Sequence, residues 1–194
     1  MNKAYIIHGW DFNPQMHWYP WLINQLESKG FEVIAPEMPT PSRPKINEWI
    51  EKLREIAPAP DKETYFIGHS IGCQTILRYL ESLNNKIKVG GVVLLAPWFH
   101  LQNLENEESE KIANPWLETP MDFDKINSHI PQNKLVAIFS DNDPFVPVAD
   151  KEIFKVLLKS KIIVEHNKGH FTEDDKMTEV PKVLEELLNM VKQK

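Results

Sequence analysis

The sequence predicts a parallel β-sheet with helices packed on both faces. Three observations lead there. Short apolar runs alternate with amphipathic segments along the whole chain. Six of those runs have strand length, and strands separated by helices pair in parallel through crossover connections. The 194 residues, 42% hydrophobic and 26% charged, suffice for one domain, 1–194, with its own core.

Lys3 to His8 reads as a buried strand. Trp18, Trp21, Leu22 and Leu26 recur at helical spacing, and Gly30 follows as a stop signal. Phe31 to Ala35 is the second strand. The segment from Pro36 to Pro44 is too rich in proline for a helix or a central strand. Ile46, Trp49, Ile50 and Leu53 mark a second helix. Thr64 to Ile67 is the third strand, Ile71 to Leu83 a helix, and Val89 to Leu95 the fourth strand. Leu135 to Phe139, a helix over Ala149 to Lys159, and Lys161 to Val164 complete the sheet. Val180, Val183, Leu184, Leu187, Leu188 and Val191 form one stripe of a last helix.

The interval from Pro97 to Gln132 is too long for a plain connection. Between Leu101 and Ile130 it holds seven acids and two lysines, a net of −5 against −6 for the chain. Residues 99–132 read as an acidic insertion after strand four: either a solvated surface excursion or a cap-like acidic insertion beside a site, since functional loops are often this long.

Several classes are excluded. No apolar run approaches the roughly 18 residues of a membrane span, and the acidic balance offers no groove for nucleic acid. Cys73 is the lone cysteine, so no intramolecular disulfide forms. The apolar stretch after Met1 is too short for a signal peptide. Both features point to the cytoplasm.

In such sheets ligands bind beyond the carboxyl ends of the strands. Gly68-His69-Ser70-Ile71-Gly72 occupies that position, between a buried strand and a helix, and matches G-x-S-x-G. Small residues must flank a serine in so tight a turn, and the following helix N-terminus favours developing negative charge. A serine needs a base, and the base an orienting acid. His170 follows strand six and can reach Ser70. His166 is a weaker candidate, and His69 should project elsewhere. The loop after strand five offers Asp141 and Asp143. Asp143 is preferred because it precedes Pro144 and is biased to extended backbone; Asp141 remains the alternative. The order Ser, Asp, His along the chain is that of the α/β-hydrolases.

An oxyanion hole needs two donors. The backbone N–H of Ile71 is one; that of Trp10, after the permissive Gly9, is the other. His8, Gly9, His69, Trp98 and Phe99 are candidate substrate-pocket residues. His166 and His170 sit in a strand end and a loop, where helical metal-ligand spacing does not apply, so no metal is expected. Cys73 reads as a packing residue.

The pieces Ile6-Ile7-His8-Gly9, Ile67 to Gly72, Leu94-Leu95-Ala96-Pro97, Ser140 to Pro147 and Gly169-His170-Phe171 span nearly the whole chain. Together they resemble the small serine hydrolase family that includes retinoblastoma-binding protein nine and related bacterial proteins. The resemblance implies a compact α/β-hydrolase fold with a sheet of about six mainly parallel strands, lacking the first two strands of larger relatives. It implies Ser70, Asp143 and His170 as the triad, with Asp143 chosen over Asp141. It also implies a serine hydrolase, most readily a carboxylesterase acting on small esters, without cofactor. An amidase or peptidase would use the same triad, and a silent binding module would lack a triad member or have a blocked pocket. The chain has no Leu-x-Cys-x-Glu sequence, so binding of the retinoblastoma protein is not carried over.

Overall fold

The computed structural model describes residues 1–192. Its strands are β1 (Lys3–Ile7), β2 (Glu32–Ile34), β3 (Thr64–His69), β4 (Gly91–Leu95), β5 (Leu135–Ser140) and β6 (Lys161–Glu165). They form a six-stranded sheet in the order β2-β1-β3-β4-β5-β6. Each adjacent pair is parallel. β3, β4 and β5 are buried along their full length, which is why they read as unbroken apolar runs. β2 and β6, at the sheet's edges, are only partly buried.

The helices are α1 (Tyr19–Ser28), α2 (Ile46–Ile56), α3 (Ile71–Ser82), α4 (Glu107–Glu118), α5 (Phe123–His129), α6 (Asp150–Leu157) and α7 (Pro181–Lys192). Helices α1 and α7 cover one face through Tyr19, Leu22, Leu26, Val183 and Leu187. The other face is covered by α2, α3, α5 and α6, with Trp49, Leu77, Ile126 and Phe154 in its core, and Trp116 of α4 packs onto the same layer. Among the described residues no helix is long and apolar enough to cross a membrane.

One strand boundary needs revision, and the interval after strand four gains internal structure. Strand four starts at Gly91, not Val89. Val89 gives its N–H to the His129 carbonyl and Gly90 gives its own to Thr64, so neither continues the ladder to β5. The interval 97–132 contains two helices. The Asn106 side chain caps α4 by accepting from the Ser109 amide, and Asp122 caps α5 through Lys125. Pro115 lies inside α4.

Because all strands run the same way, the loops that follow the six strands meet at one edge of the sheet. Those after β1, β3, β4, β5 and β6 carry the chain's motif residues.

Candidate active site

Ser70 joins β3 to α3 with φ 52° and ψ −118°, a conformation that L-residues avoid. Its neighbours allow it. A Cβ on Gly68 would lie 2.8 Å from the Cys73 nitrogen, and one on Gly72 only 2.3 Å from the Ile7 carbonyl oxygen. The two glycines let α3 start against β1 and β3. The turn is fastened by the Ser70 amide, which donates to the Leu95 carbonyl at 2.9 Å.

Ser70 faces a cavity of about 510 Å³ that His170 also lines. His170 Nδ1 donates to Asp143 Oδ2 at 2.8 Å. The other Asp143 oxygen accepts the amides of Phe145 and Val146 at 2.9 and 3.0 Å. The carboxylate is thus buried but fully engaged, and it leaves His170 Nε2 as an acceptor. Phe145 sets its ring edge against the imidazole, 5.3 Å between centroids.

The His170 backbone is held from both sides. Its N–H donates to Asp175 Oδ2 at 2.8 Å, and the same oxygen takes the amide and hydroxyl of Thr172, each at 3.0 Å. Gly169 turns at φ +52° with Asp175 so close that a Cβ would sit 1.7 Å from its Oδ1. On the other side His69 Nε2 donates to the His170 carbonyl at 2.9 Å. His69 Nδ1 accepts from the Tyr19 hydroxyl at 2.8 Å, and that hydroxyl accepts the Gly9 amide at 3.0 Å. A continuous chain of hydrogen bonds therefore ties the loop after β1 to the loop carrying His170. It requires a neutral His69, and burial, then the neighbouring His170, hold that imidazole well below its ordinary pKa.

The remaining sequence candidates divide clearly. Trp10, Ile71 and Trp98 line the cavity. Among the described residues neither the Trp10 nor the Ile71 amide donates to a protein acceptor. His8, Gly9, His69 and Phe99 do not line the cavity. His8 faces inward, donating from Nδ1 to the Gly9 carbonyl and accepting the Met38 amide at Nε2. Phe99 stacks on Phe154 at 4.4 Å in the core. Asp141 meets His166, not His170: its Oδ2 lies 2.5 Å from His166 Nδ1, while Oδ1 accepts the Asn167 amide. Those two contacts, the amide first, lower its pKa on an exposed surface. Cys73 is buried with its thiol directed at the Leu95 carbonyl, and burial pushes its pKa well up. Among the described residues no group of three or more His, Cys, Asp or Glu side chains could hold a metal ion.

Sequence reasoning missed Tyr19, Asp175, Asn142 and Asp150. Asn142 Oδ1 accepts the Gly169 amide, and Asp150 Oδ2 accepts the amides of Phe99 and His100. The cavity's other wall comes from the insertion: Leu101, Leu104 and Ile112 line it, with Glu105 and Glu108. Across from them the Arg43 guanidinium pairs with Glu108.

The strand order and the serine-bearing turn make this an α/β-hydrolase fold. The family model for serine hydrolases matches residues 4–189, and the chain belongs to that family. It is 28% identical to YdeN of Bacillus subtilis over 186 residues, covering 95% of this chain and 94% of that one. It is 27% identical to serine hydrolase RBBP9 of Rattus norvegicus over 172 residues, 88% of this chain and 86% of the relative. The crystal structure of the B. subtilis ydeN product superposes with a TM-score of 0.89 at 26% identity, covering 99% of this chain and all of that one.

Proposed function

We propose that this hydrolase cleaves small carboxylic esters through an acyl-enzyme on Ser70, with His170 as base and Asp143 as its orienting acid. The observation that carries the reading is the cavity shared by a strained serine and a histidine whose far nitrogen is bound to a buried carboxylate.

The Ser70 hydroxyl gives its proton to His170 Nε2 as the oxygen attacks the ester carbonyl carbon. Asp143 stabilises the imidazolium that results. The amides of Trp10 and Ile71 hold the developing oxyanion. His170 then returns the proton to the departing alkoxide, and water, deprotonated by the same imidazole, releases the acid. Trp98, Ile112 and Phe145 supply apolar wall for a short acyl chain, in a cavity of ordinary ligand size. Ester is favoured over amide because an alkoxide leaves with less help than an amine.

Treatment with a fluorophosphonate followed by intact-mass analysis tests the assignment. Wild type should take one label. Ser70→Ala should take none, and His170→Ala and Asp143→Asn should label at least about a hundredfold more slowly. Folded wild-type protein that stays unlabelled, or label that persists in Ser70→Ala, overturns it. Turnover of p-nitrophenyl esters but not the matching anilides would set ester above amide.

A further inference from the structure

The two edges of the sheet are protected unequally. Natural sheets blunt their edges with short strands, proline, bulges or charge, because an open edge is a template for pairing. β2 is three residues long and is followed by Pro36. β6 is five residues long, Lys-Ile-Ile-Val-Glu, with no proline or glycine and three consecutive apolar residues at its centre. Val164 is 42% exposed there, and Val156 and Leu157, on the helix leading into the strand, are 68% and 41% exposed.

The backbone of β6 is also directed outward in a definite pattern. The Glu165 carbonyl accepts from Asp141, beside β5. In a parallel pair alternate residues bond the same neighbour, so Lys161, Ile163 and Glu165 face β5. Ile162 and Val164 therefore turn both their N–H and C=O groups toward solvent.

We propose that β6 pairs antiparallel with β6 of a second copy of this chain, about a two-fold axis at Ile163. The sequence of the strand is complementary to itself in that register. Ile162 of each copy lies opposite Val164 of the other, and these are the residues whose backbone groups point away from β5. They exchange N–H···O=C bonds as hydrogen-bonded pairs, and Ile163 faces its own copy as the non-hydrogen-bonded pair. Lys161 of each copy lies opposite Glu165 of the other. Lys161 already binds Glu186 of α7, yet its side chain stays 55% exposed and both charges lie on that face. Isologous contacts of this kind close after two copies and leave the remaining edges at the short, proline-flanked β2. The area is small, so the dimer is a weak one that dissociates on dilution.

Sedimentation velocity on the full chain tests this. At about 100 µM wild type should sediment with the mass of two chains and move toward 22.6 kDa on dilution. Val164→Pro removes an outward N–H that the fold does not use. Glu165→Lys sets like charges opposite each other. Each should raise the dissociation constant about tenfold or more, while the circular dichroism spectrum and melting temperature stay those of wild type. Should Val164→Pro melt early, Glu165→Lys carries the test alone. Wild type that remains a monomer at the highest concentration overturns the proposal, as does a dimer untouched by Glu165→Lys.

Discussion

Asp175 fixes more of the His170 loop than any residue of the sequence motifs does. One of its oxygens gathers the amides of His170 and Thr172 and the Thr172 hydroxyl. Reacting groups misplaced by about 1 Å lose about a hundredfold in rate. Asp175→Ala should therefore lower kcat for a p-nitrophenyl ester about tenfold to a hundredfold with KM little changed, and Asp175→Asn, which keeps an acceptor oxygen, should restore most of it. A loss confined to melting temperature would make the contact merely structural. His69 offers a second test. Burial lowers the pKa of both His8 and His69 in the fold. The unfolded chain then binds protons near pH 6.5 that the fold refuses, so this stabilisation is complete above that value and is lost as pH falls below it. The melting temperature should drop between about pH 7.5 and about pH 5.5. His69→Gln should melt lower at the upper pH but show a smaller drop. The loops that bring Ser70, Asp143 and His170 together were legible because chain order and strand position fix which loops meet, whereas the choice of Asp143 over Asp141 needed Pro144 and the family resemblance. The tethers were not. Tyr19 and His69 are 50 residues apart and His69 and His170 101 apart, and nothing local in the sequence announces either contact.

At the scale of elements, helix α3 has two duties. Its N-cap is Ser70, and further along Arg78 reaches the insertion. The Arg78 guanidinium is buried and donates to the Trp116 and Thr119 carbonyls at the carboxyl end of α4, each at 2.8 Å. That end of a helix has unpaired carbonyls and negative dipole charge, so a cation there is well placed. Trp116 adds a bond from its indole to the Pro44 carbonyl. The amino end of α4 reaches across the cavity mouth and is joined to the opposite wall by Glu108 and Arg43. Arg78→Ala should destabilise the chain by about 1 to 3 kcal/mol, since the buried Trp116 carbonyl and the part-buried Thr119 carbonyl lose a charged donor, readable as a lower urea midpoint. It should also raise KM for ester more than it lowers kcat, because Ile112 and Leu104 of the wall shift while the β-strand loops do not. The strands and the helices flanking them were readable because burial on both faces demands unbroken apolar runs. Helices α4 and α5 were not: Pro115 argues against a helix, and the acidic run masks a capped start at Asn106. A cap followed by three glutamates was the signal available.

Across the whole molecule, charge is distributed as unevenly as structure. The net charge is −6, and the insertion over one wall of the cavity holds a net of −5. Among the described residues Asp11, Glu105 and Glu108 line the cavity against a single cation, Arg43, which is already paired. These carboxylates are exposed, so no single pair matters much. Their summed field still acts on an approaching ester over a distance set by salt, about 30 Å at 0.01 M and about 8 Å at 0.15 M. A neutral ester should feel none of this. A monoanionic ester of the same alcohol, such as a hemisuccinate, should be turned over with a lower kcat/KM that rises several-fold as salt is raised between those limits. Glu105→Gln and Asp11→Asn should each weaken that salt dependence and leave the neutral ester unchanged. Equal salt responses of the two esters would show that the acidic insertion shapes the cavity wall without selecting what enters it.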